Sequence, residues 1–240
     1  MPRFYIEDPL IQGQTLPLSD ATVRHIQALR LRDGAPITLF NGQGGEWSAT
    51  VQILGRRDIC AHVSAHLDVE RESPLQLQLI QGVSMGDRMD YTLQKAVELG
   101  VSHIQPVISE RSARIPADRL NTRQDHWRKV IESACEQSGR NTIPTITPVC
   151  TWKQWLPSAP KQGLLLSPLG SNPITQLPRP EGGISLLAGP EGGLSTQEEQ
   201  DVIHLGWTPI TLGPRILRTE TAALAALAAL QTLWGDYSHV

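Results

Sequence analysis

The stretch LGPRILRTETAALAALAALQTLW, residues 212–234, constrains this chain more than any other. It opens as a turn holding glycine, proline and two arginines, then becomes an almost uncharged run of alanine and leucine. A helix that is apolar on every side has to be covered on more than one side. Its longest apolar run, Ala222 to Leu230, is far shorter than the ~20 residues that cross a bilayer. The cover must therefore be protein, and no membrane partner is expected. A polar turn set directly against a buried helix reads as a ligand site.

At 240 residues the chain can hold one large domain or two modest ones with a real core. The N-terminus MPRFYIEDPL has no apolar segment ahead of its charges, so no signal peptide is expected and a cytoplasmic location is. Cys60, Cys135 and Cys150 form no CxxC pair, which suggests neither a disulfide framework nor a thiolate metal site. His62 and His66 stand four apart in a strand-like segment, where that spacing lacks its helical meaning, so no metal is expected. The net charge of −3 means that a nucleic-acid partner must be held by a local patch. Of the 21 basic residues 17 are arginine, which suits planar bidentate contacts, although a GC-rich genome gives the same excess.

Residues 1–71 alternate and turn often. RFYIE, APITLF, EWSATVQIL and DICAHVSAHLDV read as short strands, with NGQGG (41–45) and GRRD (55–58) as hairpin turns. SDATVRHIQALRLRDG reads as one amphipathic helix, with Ser19 or Asp20 as N-cap and Gly34 closing it. Short strands with one helix suggest a small β-barrel.

After the linker RESPLQ (71–76) strands and helices alternate. LQLQLIQGV and VSHIQPVIS read as strands around a helix, DRMDYTLQKAVELG, capped by Asp87 and Gly100. A helix over 118–138 follows, with Trp127, Val130, Ile131, Ala134 and Cys135 on one face. Strands near 163–167, 184–188 and 208–212, a helix from Thr196 to about Leu205 and the final alanine-rich helix complete the pattern. Such alternation predicts an α/β domain on a mostly parallel sheet.

Ligands of open α/β sheets bind beyond the carboxyl ends of the strands. Two loops fit. GPEGGLSTQEE (189–199) follows the strand ISLLA, and its Ser195 and Glu198 form a capping box. GPRILRTE (213–220) follows TPITL. PEGG also occurs at 180–183, but there it precedes a strand and reads as a plain turn. There is no GxxxxGK[ST], and GQGGEW fails GxGxxG at its third glycine. The ligand need not carry phosphates, and apolar walls such as Leu212, Ile216 and Leu217 suit an adenosine group without them.

These residues resemble a known family, the RsmE-type 16S ribosomal RNA (uracil-N3)-methyltransferases of the knotted SPOUT superfamily. The likeness runs through PRFYI, HIQALRLRDGAPITLFNG (25–42), DRMDYTLQKAVELGV (87–101), ISERS (108–112), WRKVIESACEQSGRNTIP (127–144), LLAGPEGGLSTQEE (186–199) and LGPRILRTETAALAALAALQ (212–231). It implies a PUA-like RNA-binding barrel at 1–72 and a trefoil-knotted, mostly parallel α/β domain at 73–240. It implies a homodimer, S-adenosylmethionine as methyl donor, and as target N3 of the uridine at position 1498 of 16S ribosomal RNA. The knot follows from the resemblance alone, since the residues by themselves suggest an unknotted Rossmann-like sheet. The final helix would face its own sheet on one side and a partner subunit on the other, or else lie at the centre of a monomer.

By the same resemblance Leu166, Gly189, Pro190, Glu191, Gly193, Leu212, Gly213, Ile216, Leu217, Arg218, Thr221 and Ala222 would hold the bent cofactor. Met85, where relatives carry a basic residue, and SPLGS (167–171), in place of a His-Pro sequence, depart from the family pattern. The second departure puts a cofactor contact from Ser167 in doubt.

Aligning uracil N3 with the methyl carbon is worth ~7 to 11 kcal/mol. N3 is protonated at neutral pH, and removing that proton costs about 3 kcal/mol at ~1.36 per unit. Arg218 would stabilise the resulting charge, and Glu220 would accept the proton, orient Arg218, or simply close the loop as an ion pair. Glu191 would cap amides near its helix start or meet the cofactor's ammonium group. RNA contacts would come from Arg3, Arg24 and Arg30 in the barrel and Arg111, Arg114 and Arg140 around the sheet, each of which alone reads equally as a solvated charge. Trp47 would stack on a base or sit in the core. Two other functions stay open: methylation of another RNA position, such as a ribose hydroxyl, and non-catalytic RNA binding in assembly.

Overall fold

The structure is a computed structural model that describes residues 1–55, 58–170, 172–179 and 181–237. Arg56 and Arg57 of the GRRD turn, Ser171 of SPLGS and Pro180 of the first PEGG lie outside the described residues. The chain divides into two units, Met1–Glu72 with Cys135–Ile143, and Ser73–Ala134 with Pro144–Val240. The division is thus not a single cut at the 71–76 linker, because nine residues from the middle of the chain belong to the first unit.

In the first unit β1 (Arg3–Tyr5), β2 (Thr15–Pro17), β3 (Pro36–Phe40), β4 (Glu46–Ile53) and β5 (Ile59–Leu67) form one sheet in the order β1-β3-β4-β5-β2. β2, only three residues long, has too little alternation to be seen in the sequence. Phe4 and Leu16, from the two end strands, share one buried cluster with Ile37, Val51, Val63 and the helix residues Val23 and Ile26. The sheet therefore wraps a common core as a barrel left open between β1 and β2. β5 carries both histidines of the HxxxH spacing: His62 bonds the Thr15 hydroxyl at 3.1 Å, and the His66 ring packs on Trp47 at 4.8 Å. Trp47 is half-buried against this core.

α1 (Asp20–Ala28) starts as expected, with the Ser19 hydroxyl accepting from the Thr22 amide at 3.2 Å. It ends six residues before Gly34. Arg30 takes a left-handed conformation, φ 53°. The amides of Arg30 and Leu31 turn back onto the carbonyls of Gln27 and Ile26, a termination that usually uses glycine.

The second unit is built on an all-parallel eight-stranded sheet. β6 (Leu77–Gly82), β7 (His103–Ile108), β8 (Thr145–Ile146), β10 (Leu164–Leu166), β11 (Asn172–Pro173), β12 (Ile184–Ala188) and β13 (Thr208–Thr211) run in the order β11-β13-β10-β12-β6-β7-β8, and β9 (Cys150–Thr151) also pairs with β7. The helices are α2 (Asp87–Glu98), α3 (Leu120–Ser138), the short α4 (Trp152–Trp155), α5 (Thr196–His204) and α6 (Thr219–Trp234). α2 is capped by Gly86, not by Asp87, which is its first residue. On one face of the sheet Ile80, Leu165 and Leu187 pack with Trp155, Val202 and Trp207. α2 and α6 pack against each other.

Along α6 only one side is buried within this unit: Ala223, Ala226, Leu227, Leu230 and Gln231. Full burial of a leucine contributes ~1.5 to 3 kcal/mol. Gln231 fixes the helix, accepting from the Ser73 hydroxyl at 2.8 Å and donating to the Leu99 carbonyl at 2.9 Å. Thr221, Ala225, Thr232 and Leu233 on the other side are exposed.

Candidate functional site

β10, β12 and β13 are neighbours in the sheet, and the loops leaving their C-terminal ends line one cavity of about 690 Å³. That size lies within the ~300 to 1,000 Å³ of small-ligand sites. The turns at 189–194 and 212–222, twenty residues apart in sequence, meet there because their strands flank β10.

The glycines of the first turn serve close approach. Gly82 ends β6 directly beneath it, where a Cβ would stand 2.5 Å from the Pro190 ring. The Gly193 amide closes the turn onto the Pro190 carbonyl at 2.8 Å, with Gly193 at φ 67°. Arg111 donates to the carbonyls of Gly192 (3.1 Å) and Leu194 (3.3 Å). The capping box of α5 is present: Ser195 accepts from the Glu198 amide, and Glu198 accepts from the Ser195 amide at 2.9 Å. The same carboxylate reaches the Glu110 amide at 2.8 Å, so it also fixes the loop after β7.

The two turns are tied together from below. Gln81, fully buried at the end of β6, donates to the carbonyls of Gly82 (3.0 Å) and Gly189 (3.4 Å) and comes within 3.5 Å of the Thr219 hydroxyl. Thr219 in turn donates to Gly189. The Gln81 carbonyl oxygen is buried without a partner among the described residues.

Charge around the cavity is partly committed. Glu191 accepts from Arg88 and from the Met85 amide, both at 2.9 Å. Burial pushes the Glu191 carboxyl up, but the Arg88 guanidinium and these amides outweigh it and hold the carboxyl below its usual range. Glu191 therefore holds the Met85 amide just ahead of α2, and not an amide of α5. Glu199 accepts from Ser167 at 3.3 Å. Arg215 and Arg218 are exposed, and no hydrogen bond or ion pair of either guanidinium is found among the described residues. One carboxylate oxygen of Glu220, Oε2, is buried without a partner among the described residues.

Of the expected cofactor residues, Leu166, Gly189, Pro190, Glu191, Gly193, Leu212, Ile216, Leu217, Arg218 and Ala222 line the cavity, as does the expected catalytic Glu220. Gly213 and Thr221 do not: Gly213 makes the turn at φ 75°, and Thr221 faces solvent from the first turn of α6. Ser167 does line it. Arg88, Leu169, Arg215 and Thr219 line the cavity as well, beyond the residues the motifs suggest. Arg215 and Thr219 sit within the GPRILRTE signal, whereas nothing local marks Arg88, a hundred residues upstream.

The six arginines expected on RNA separate into two kinds. Arg24, Arg30 and Arg114 are exposed. Arg111 is exposed but spends donors on the 192–194 turn and lines the cavity. Arg3 and Arg140 depart from the expectation. Arg3 lies over Phe40 and is bonded to Glu46 and, at 2.7 Å, to Asn141. Arg140, 5% exposed, grips Glu72 through two bonds of 3.0 Å and a third, shorter one. Both are structural cations of the first unit.

Comparison with known proteins agrees with this geometry. Residues 71–231 match an RNA methyltransferase domain and residues 18–64 an RNA methyltransferase PUA domain. The ribosomal RNA small subunit methyltransferase E of Buchnera aphidicola (subsp. Schizaphis graminum) is 34% identical, over 99% of this chain and 98% of its own. That of Bacillus subtilis is 29% identical over 96% of each. The crystal structure of the Neisseria gonorrhoeae protein of that name, bound to S-adenosyl methionine, superposes with a TM-score of 0.94 at 46% identity and 99% coverage of both chains. With a PUA-type barrel, a parallel α/β unit and a shared cavity at its carboxyl rim, this chain belongs to the ribosomal RNA small subunit methyltransferase E family.

Proposed function

We propose that this chain transfers the methyl group of S-adenosylmethionine to N3 of a uridine in 16S ribosomal RNA of the small subunit. Residues 1–72 act as the RNA-binding barrel and 73–240 as the knotted catalytic domain, in a cytoplasmic homodimer. The observation that carries the reading is the single cavity shared by the 189–194 and 212–222 turns, in a chain 46% identical to a relative crystallised with this cofactor.

The cavity suits that group. Leu166, Leu212, Leu217 and Ala222 give apolar walls, and the glycine turn brings backbone amides and carbonyls close without a phosphate cradle. When bound, S-adenosylmethionine supplies an electrophilic methyl group and leaves as a thioether, so the protein's tasks are alignment and proton removal. Arg218, exposed at the cavity and unpaired among the described residues, stabilises negative charge on the uracil oxygens. Glu220, which lines the same cavity beside Arg218, takes the N3 proton. The N3 electron pair thus freed forms the new bond to carbon.

Labelled methyl transfer to unmodified small-subunit particles, followed by mass spectrometry of the nucleosides, should yield 3-methyluridine. A ribose-methylated product would overturn the assignment of N3. Arg218→Ala should slow single-turnover methylation by about a hundredfold or more with cofactor and RNA saturating. A near-normal rate would remove Arg218 from the chemistry.

A further inference from the structure

Leu169 and Ile216 are 89% and 86% exposed, the highest values among the large apolar side chains of the described residues. Both belong to the lining of the cavity, one on the loop after β10 and the other on the loop after β13. Single exposed aliphatics are ordinary on a protein surface, but two from separate loops at one cavity mouth are not. They are not needed as walls. Leu194 and Ile210, which are buried, and Leu166, Leu212 and Leu217, which are half-buried, already wall the cavity. Leu169 and Ile216 stand clear at the rim, among the exposed arginines 88, 111, 215 and 218.

Bare aliphatics set among guanidiniums fit one occupant best, an RNA strand with a base out of its stack. Guanidiniums match phosphates, and aliphatic side chains take the place of lost stacking partners, as apolar wedges do in nucleic acids. The chemistry requires such a state, because N3 lies on the pairing edge of uracil and is reached only in an unpaired, extruded nucleotide. Resting on the methyl-transfer reading above, we infer that Leu169 and Ile216 are a pair of apolar jaws that hold the extruded uracil over the cavity. They position the base, so that Ile216 leaves the cofactor wall its motif suggests while Leu212 and Leu217 remain in it.

The test is the full-length double variant Leu169→Ser, Ile216→Ser. Its affinity for S-adenosylmethionine by calorimetry should stay within about twofold of wild type, while kcat/KM for unmodified small subunits falls by about tenfold or more. The fluorescence rise of 2-aminopurine placed beside the target uridine, expected with wild type, should be lost. Leu169→Met with Ile216→Val should restore both readouts, and Ile203→Ser, an exposed aliphatic of α5 outside the cavity lining, should leave them unchanged. Weakened cofactor binding would overturn the jaws by making these residues part of the cofactor wall. An unchanged kcat/KM would overturn them directly. Failure of the wild-type protein to methylate small subunits removes the methyl-transfer reading itself, and the jaws with it, before any variant is compared.

Discussion

Glu136 shows how much a single half-buried carboxyl carries that no sequence pattern announces. One oxygen accepts the Tyr5 amide at 3.0 Å and the other lies 3.9 Å from His25. Burial pushes its pKa above 4.5, and the Tyr5 hydrogen bond and the charges of His25 and Arg3 only partly oppose this. The folded protein then holds the proton more tightly than the unfolded chain, so stability is lost as pH rises from 4.5 through the folded value and stays lower above it. Glu136→Gln keeps the acceptor and removes the charge. Its thermal midpoint should exceed that of wild type at pH 8, with the gap closing as pH falls below 4.5; a gap that widens in acid would refute the argument. Legibility at this scale was uneven. Arg218 and Glu220 were marked by their loop, but the commitment of Arg3 to Glu46 and of Arg140 to Glu72 joins residues 43 and 68 positions apart, which composition cannot reveal.

Among the elements, α5 was read almost residue for residue because its signal is local: Ser195 and Glu198 are three apart and satisfy each other's amides. Ser195→Ala should cost about 1 kcal/mol in denaturant unfolding. Glu198→Ala should cost more, since it leaves the amides of Ser195 and Glu110 without an acceptor, each worth about 1 to 3 kcal/mol when buried. Equal losses would mean that the link to the loop after β7 contributes nothing. α1 is shorter than its sequence suggests because its stop is an arginine at φ 53°, a place that usually takes glycine. β8, β9 and β11 are two residues each, too short to carry a period and visible only through their partners.

For the whole molecule, α6 poses the question its sequence raised. One side of it is covered, by way of Ala223, Ala226, Leu227, Leu230 and Gln231, and the exposed Leu233 and Ala225 are consistent with the proposed homodimer. Sedimentation at micromolar concentration should give twice the chain mass; a monomer would leave that face without its proposed cover. RNA affinity should fall steeply with salt through Arg24, Arg30 and Arg114, and a flat dependence would remove the electrostatic part of the proposal. Local order fixed much by itself: periodicity gave the helices, alternation the strands, and capping and turn residues the two loops, because these signals act between residues a few positions apart. Which strands became neighbours, and so that the two loops share a cavity with Arg88 and rest on Gln81, was decided only in three dimensions. Those contacts depend on the parallel pairing of β6, β10, β12 and β13, set by packing between segments more than a hundred residues apart.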